Sequence, residues 1–138
     1  MRPGKVADRG GYVFQTAVDF IGFDTYQLGL NNDFYVKRVR KFLDILCNIA
    51  VEKNKLPILS ETGFEKIPLE NWWTDGLWKT ISDFKISYVL IWRNAYGKPD
   101  HFYVPYPGHK SANNFKEFYN LPGTLFQNDV THVNLYKK

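Results

Sequence analysis

The chain has 138 residues, 44% of them hydrophobic, and its 11 Phe, 9 Tyr and 4 Trp supply far more buriable ring area than a disordered segment carries. That length allows one compact unit at most. A formal net charge of +4, from 18 basic and 14 acidic side chains, is too mild and too dispersed to imply a nucleic-acid partner.

The first 17 residues, with Gly10-Gly11 and several charges, predict no element. Met1-Arg2-Pro3-Gly4 leads into charged and glycine residues rather than an apolar run, so no signal peptide is expected, and no stretch of 18 apolar residues predicts a membrane span. Val18-Asp19-Phe20-Ile21-Gly22-Phe23 favours a buried strand, which hands over to the polar Asp24-Thr25-Tyr26-Gln27. Asn31-Asn32-Asp33 then offers N-caps for a helix whose apolar residues recur at Tyr35, Val39, Phe42, Leu43, Leu46, Ile49 and Ala50, running to about residues 52–54. On that helix Lys37, Arg38, Arg40 and Lys41 are expected mostly to face solvent. Cys47, the only cysteine, is expected as a small buried thiol; alone it excludes an intrachain disulfide and a Cys-x-x-Cys zinc site.

A second strand is predicted at Leu56-Pro57-Ile58-Leu59-Ser60, ending in the polar cluster Glu61-Thr62-Gly63. After Pro68, the spacing of Trp73, Leu77, Ile81 and Phe84 predicts a helix, weakened by Gly76. The third strand, Ile86-Ser87-Tyr88-Val89-Leu90-Ile91-Trp92, hands over to Arg93-Asn94. Strands that each end in polar residues and alternate with helices predict an α/β fold of parallel βα units, with chemistry at the C-terminal edge of the sheet. An aromatic, proline-bearing loop follows at residues 101–109; loops of this length are often functional. Ser111 is expected to cap a last helix carrying Phe115, Phe118 and Tyr119 and stopped by Pro122-Gly123, and residues 131–138 have weak strand character or form a tail.

If the strands are parallel neighbours, their ends bring Asp24, Tyr26, Glu61, Trp92 and Arg93 around one mouth. A carboxylate, a tyrosine hydroxyl that orients it, a flat ring and a bidentate cation suit a sugar-cleaving site. The ring stacks on a pyranose face while the carboxylate attacks or stabilises an oxocarbenium-like centre. Taken singly each residue has a plainer reading: Glu61 as a solvated loop carboxylate, Trp92 as packing, Tyr26 as a backbone hydrogen-bonding group, and Arg93 as the partner of a surface carboxylate.

Five blocks in order, IGFDTYQ at 21–27, LPILSETG at 56–63, NWWTD at 71–75, YVLIWRNA at 88–95 and HFYVPYPGHKSANNF at 101–115, resemble the C-terminal part of glycoside hydrolase family 26. The resemblance covers roughly residues 18–126. The family is best known for endo-β-1,4-mannanases built on a TIM barrel, so it implies a partial (β/α)8 barrel of about the last three βα units. By the same resemblance Glu61 matches the catalytic nucleophile at the end of strand seven, and Tyr26 the strand-six tyrosine that hydrogen-bonds to it. Trp92 matches the platform under the sugar and Arg93 a position contacting the neighbouring sugar. Asp24, Asn94 and His109 are weaker candidates for substrate contact, while Trp72 and Trp73 read equally well as helix packing. No cofactor and no metal is implied, the partner is β-mannan or a related polysaccharide, and the family's setting is secreted or cell-envelope.

The departure from the pattern concerns the acid/base. The family's acid/base glutamate follows a histidine at the end of strand four, but this chain has no His-Glu pair: its histidines are 101, 109 and 132 and its glutamates 52, 61, 65, 70 and 117. A whole barrel takes about 250 residues, so strands one to five are expected to lie in a missing N-terminal part of the barrel. Asp24 is expected on the wrong side of the barrel to replace the acid. The isolated chain is therefore expected to be inactive or nearly so, with Ile21, Phe23, Ile58 and Leu90 as candidates for exposed barrel interior. Alternatives are a β-1,3-xylanase or mixed-linkage glucanase on the same scaffold, a non-catalytic carbohydrate-binding remnant using the aromatics of 101–109, and a product with no function of its own.

Overall fold

The computed structural model describes residues 18–131. The readings of residues 1–17 as featureless and of 132–138 as a weak strand or tail fall outside the described residues. Three parallel strands, β1 (Phe20–Gln27), β2 (Leu56–Phe64) and β3 (Val89–Ile91), lie side by side in sequence order. They confirm the parallel α/β arrangement, with differences at the ends. The first two strands run on through the polar residues predicted to follow them, so Asp24, Tyr26 and Glu61 sit in the ladder itself. Only Val89–Ile91 of the predicted third strand is regular. Even so, Ser87 N–H donates to Pro57 O (2.8 Å), Leu59 N–H to Tyr88 O (3.1 Å) and Trp92 N–H to Thr62 O (3.0 Å), which extends the pairing to both sides.

The 22-residue helix α1 (Asn32–Lys53) forms where its periodicity predicts. Asn31 Oδ1 accepts from Phe34 N–H at 2.9 Å, and Asn54 stops the helix in the left-handed conformation (φ 51°). Tyr35, Val39, Leu43, Leu46 and Ala50 are its buried stripe, packed on Ile21, Phe23 and Leu59 of the sheet. Arg38 and Arg40 depart from the solvent reading. Both are half-buried: Arg38 donates to Tyr26 O (2.8 Å) and Thr25 Oγ1 (3.2 Å), and Arg40 to Lys79 O (2.8 Å) and Asp83 (2.7 Å). Lys37 and Lys41 are exposed as expected. Cys47 is half-exposed rather than buried, because it flanks the apolar stripe instead of lying within it.

The helix predicted after Pro68 is wound as a π-helix over Trp72–Trp78, continuing into one α turn, α2 (Lys79–Ile81). Its last bonds include the five-residue reach from Lys79 N–H to Thr74 O. The wide turn buries two consecutive indoles completely, Trp72 and Trp73, each with its N–H satisfied: Trp72 donates to Gln27 Oε1 (2.8 Å) and Trp73 to Ser111 Oγ (3.3 Å). They are core residues. Helix α3 (Ala112–Tyr119) packs Phe115 and Phe118 on Trp73, and the short α4 (Gln127–Thr131) follows Pro122-Gly123. Ser111 precedes α3 without capping it, its hydroxyl being engaged by Trp73 and His109.

Three of the four exposed-interior candidates are buried, and alternation along the strands accounts for two of them. Ile21 and Phe23 face α1 and belong to the core. The other sheet face carries Gly22, paired with Ile58, and a Cβ at Gly22 would meet Ile58 Cγ1 at 2.5 Å. Ile58 folds over that bare α-carbon and is buried, whereas Leu90 on the same face is exposed, as expected of it.

Candidate active site

A β-bulge in β2 decides where Glu61 points. Phe23 pairs with Leu59, but the next residue of β1, Asp24, pairs with Glu61, leaving Ser60 as the extra residue; toward β3 the same shift lies between Leu59 and Thr62. Strict alternation from Leu59, which faces the helices, would aim Glu61 at the helices as well. The extra residue resets the phase, so Ser60 and Glu61 both project from the face opposite α1, while Thr62 and Phe64 return to the core.

On that face, at the C-terminal end of the sheet, Tyr26 Oη donates to Glu61 Oε2 at 2.7 Å, and Ser60 Oγ donates to Asp24 Oδ1 at 2.7 Å. The Tyr26 hydroxyl ionises well above the usual tyrosine value, first because burial disfavours the phenolate and then because the Glu61 carboxylate accepts its proton and repels its negative charge. It is therefore a fixed donor that leaves one carboxylate oxygen to be oriented rather than neutralised. Trp92 is half-buried just past β3, and its ring carries the exposed Arg93 guanidinium 5.9 Å from the centroid.

The two remaining candidates are engaged by the 101–109 loop. Asn94 Oδ1 accepts from the N–H groups of Tyr103 and Val104 (2.9 Å each), and its Nδ2 donates to Val104 O (3.0 Å). His109 sits at the far end of the loop, where Nδ1 accepts from Ser111 N–H (3.2 Å) and Nε2 faces Lys66 O (3.2 Å), a pattern that fits the Nε2–H tautomer. Phe102 and Tyr106 pack edge-on against its ring. The structure thus brings Asp24, Tyr26 and Glu61 together, sets Trp92 and Arg93 just past the end of the neighbouring β3, with Trp92 N–H on Thr62 O, and holds Asn94 and His109 within the loop scaffold.

Sequence reasoning passed over two residues here. Tyr103 lies 5.6 Å from Tyr26 ring to ring, and Gly63 supports it from below. The signal for both was the aromatic loop itself, but nothing in its spacing singles out one ring. Among the described residues no group of three or more His, Cys, Asp or Glu side chains is placed to hold a metal, and no helix is long and apolar enough to cross a membrane.

No protein-family model matches the chain. Comparison with solved structures finds a β-mannanase from Bacteroides ovatus at 42% identity over 81% of this chain and 32% of that one, with a TM-score of 0.76. Its structural neighbours are family 26 glycoside hydrolases. The catalytic domain of an endo-β-1,4-mannanase from Bacillus sp. JAMB-750 is 27% identical over 86% of this chain and 35% of that one (TM-score 0.73). A modular family 26 endo-β-1,4-mannanase from Cellulomonas fimi is 27% identical over 82% and 26% (TM-score 0.69). The family 26 resemblance of the five sequence blocks and the likeness of the folds therefore agree, and the chain spans about a quarter to a third of the length of the neighbours it matches.

Proposed function

We propose that this chain is the C-terminal part of a family 26 retaining endo-β-1,4-mannanase: the last three βα units of a (β/α)8 barrel, acting with the remainder of that barrel on β-mannan. The observation that carries the reading is the Tyr26–Glu61 hydrogen bond, 2.7 Å long and set at the C-terminal ends of parallel strands by a bulge in β2. Similarity to the three mannanases supplies the substrate class.

In this reading Glu61 attacks the anomeric carbon as the leaving sugar oxygen departs, forming a glycosyl ester on the carboxylate, and water then cleaves the ester with a second inversion. The proton for the leaving oxygen comes from an acid/base carboxyl about 5–5.5 Å from Glu61, contributed by the part of the barrel outside this chain. Tyr26 holds one oxygen of Glu61 so that the other faces the sugar. Trp92 is the platform beneath the sugar, and Arg93 and Asp24 bind flanking hydroxyls. Asn94 and His109 serve by holding the loop that walls the cleft. Such an enzyme works outside the cell or at its envelope, where the polymer is.

The test is β-mannan hydrolysis by the complete protein. The β-anomer is expected to appear first by NMR, and Glu61→Gln to lower kcat by more than about 10³-fold. First appearance of the α-anomer, or full activity in Glu61→Gln, would exclude the proposal. The 138-residue chain alone lacks the general acid, worth about 10²–10⁴-fold, and is expected to release little or no sugar.

A further inference from the structure

The loop at 101–109 reaches back over the sheet at one point. Gly63 is the β2 partner of Tyr26 in the ladder, and a Cβ built on it would lie 2.5 Å from Tyr103 Cδ1 and 3.3 Å from Cγ and Cε1. The backbone gives no reason for glycine at this position, since only Gly97 and Gly108 have positive φ among the described glycines. What the missing side chain leaves is a seat for the Tyr103 ring, which presses edge-on against Tyr26 with centroids 5.6 Å apart and planes at 61°. The ring is held in that seat from both sides: Asn94 binds the Tyr103 and Val104 backbone, and Lys66 N–H, just past β2, donates to Phe102 O at 2.8 Å. The Tyr103 hydroxyl, by contrast, has no partner among the described residues.

We propose that Tyr103 is a positioning residue that acts through Tyr26. Its ring, seated on Gly63, keeps the Tyr26 hydroxyl on the Glu61 carboxylate and screens that hydrogen bond from water. The proposal rests on the reading of Glu61 as the nucleophile. A phenol open to solvent shares its proton between carboxylate and water; covering one flank of the ring leaves the carboxylate as the acceptor and fixes its orientation. The ring does this work; the Tyr103 hydroxyl adds only a smaller charge repulsion against the Tyr26 phenolate, behind burial and Glu61. Gly63→Ala should thus have the same effect as removing the ring, because the new methyl group displaces Tyr103 from the other side.

The readout is the ionisation of Tyr26, followed by NMR in chains labelled at tyrosine Cζ, with Tyr26→Phe assigning the signal. In the unaltered chain Tyr26 is expected to stay protonated at about pH 11, above the ordinary tyrosine value of about 10, because burial and the Glu61 carboxylate both disfavour the phenolate. In Tyr103→Leu and Gly63→Ala it is expected to ionise at that pH, while Tyr103→Phe titrates like the parent. Unchanged ionisation in Gly63→Ala and Tyr103→Leu overturns the proposal, as does a Tyr103→Phe that behaves like Tyr103→Leu. If Tyr103→Leu fails to fold, Gly63→Ala decides. In the complete enzyme the same two substitutions should lower kcat roughly 10–100-fold with little change in KM. Because the titration uses no catalysis, a confirmed shift without mannan hydrolysis would refute the proposed function alone, and hydrolysis with an unmoved Tyr26 would refute this inference alone.

Discussion

Tyr35 sits beneath the sheet, fully buried, with its hydroxyl 2.7 Å from Thr62 Oγ1. The bulge that turns Glu61 outward is what turns Thr62 inward to meet it, so one backbone irregularity serves both the site and the core. Burial pushes the Tyr35 ionisation up to about 12, against smaller downward pulls from the Thr62 hydrogen bond and the Arg38 charge. The folded value lies above the unfolded value of about 10, so the contribution is fully present below pH 10 and is lost as pH rises from about 10 to 12, by at most about 1.4 kcal/mol per pH unit for this group. Tyr35→Phe leaves Thr62 Oγ1 buried without its partner and is expected to cost about 1–3 kcal/mol near neutrality. Urea titrations at pH 8 and about pH 11 should show that difference shrinking at the higher pH; a constant difference would mean that the pair is not buried as described.

Two elements depart from the simplest reading of their sequence, and each does so for a side-chain reason. The bulge in β2 carries no local signature, since Ser60-Glu61 looks like any strand end. The π-helix Trp72–Trp78 does have a visible cause, two adjacent indoles that must both be buried, although the pattern of Trp73, Leu77 and Ile81 reads as an ordinary helix. Gly76, which counted against a helix in the sequence, is what the element requires. A Cβ there would lie 2.7 Å from Trp72 Cδ1 and 2.8 Å from its Nε1, whose N–H is committed to Gln27. Gly76→Ala, neutral or favourable for an exposed helix, is therefore expected to destabilise this one by about 1–3 kcal/mol through overpacking. A thermal melt that rises would contradict the close approach.

At the scale of the whole molecule, three parallel strands with helices on one face leave both sheet edges without a partner strand among the described residues. Phe20, Leu56, Tyr88 and Leu90 are all exposed. Leu28, Leu30 and Phe34, which follow the end of β1, stand out at 90%, 68% and 65% exposure, and a groove of about 480 Å³ lined by Trp78, Ile81, Phe84, Tyr88 and Phe126 flanks β3. Parallel sheets are normally covered on both faces, and free apolar edges promote association. Sedimentation of the purified chain is expected to show self-association, and the proposed function predicts that adding the remainder of a barrel suppresses it. A monodisperse monomer with one sharp thermal transition would argue that the chain is a finished unit.

The sequence by itself determined the elements and the list of candidates. Helical spacing located α1, apolar runs located three strands, and five ordered blocks pointed to the family that the structural neighbours then matched. Those are properties of neighbouring residues along the chain, which periodicity and motif order record directly. Only the tertiary structure decided which face each residue takes. It turned Glu61 toward Tyr26 through the bulge, moved Ile21 and Phe23 from a supposed open interior to the core, and engaged Asn94 and His109 in the loop. It also put Tyr103 on Gly63, 40 residues earlier in the chain. Faces and long-range contacts depend on strand register and on how far one side chain can approach another's backbone, and no window of sequence contains both partners.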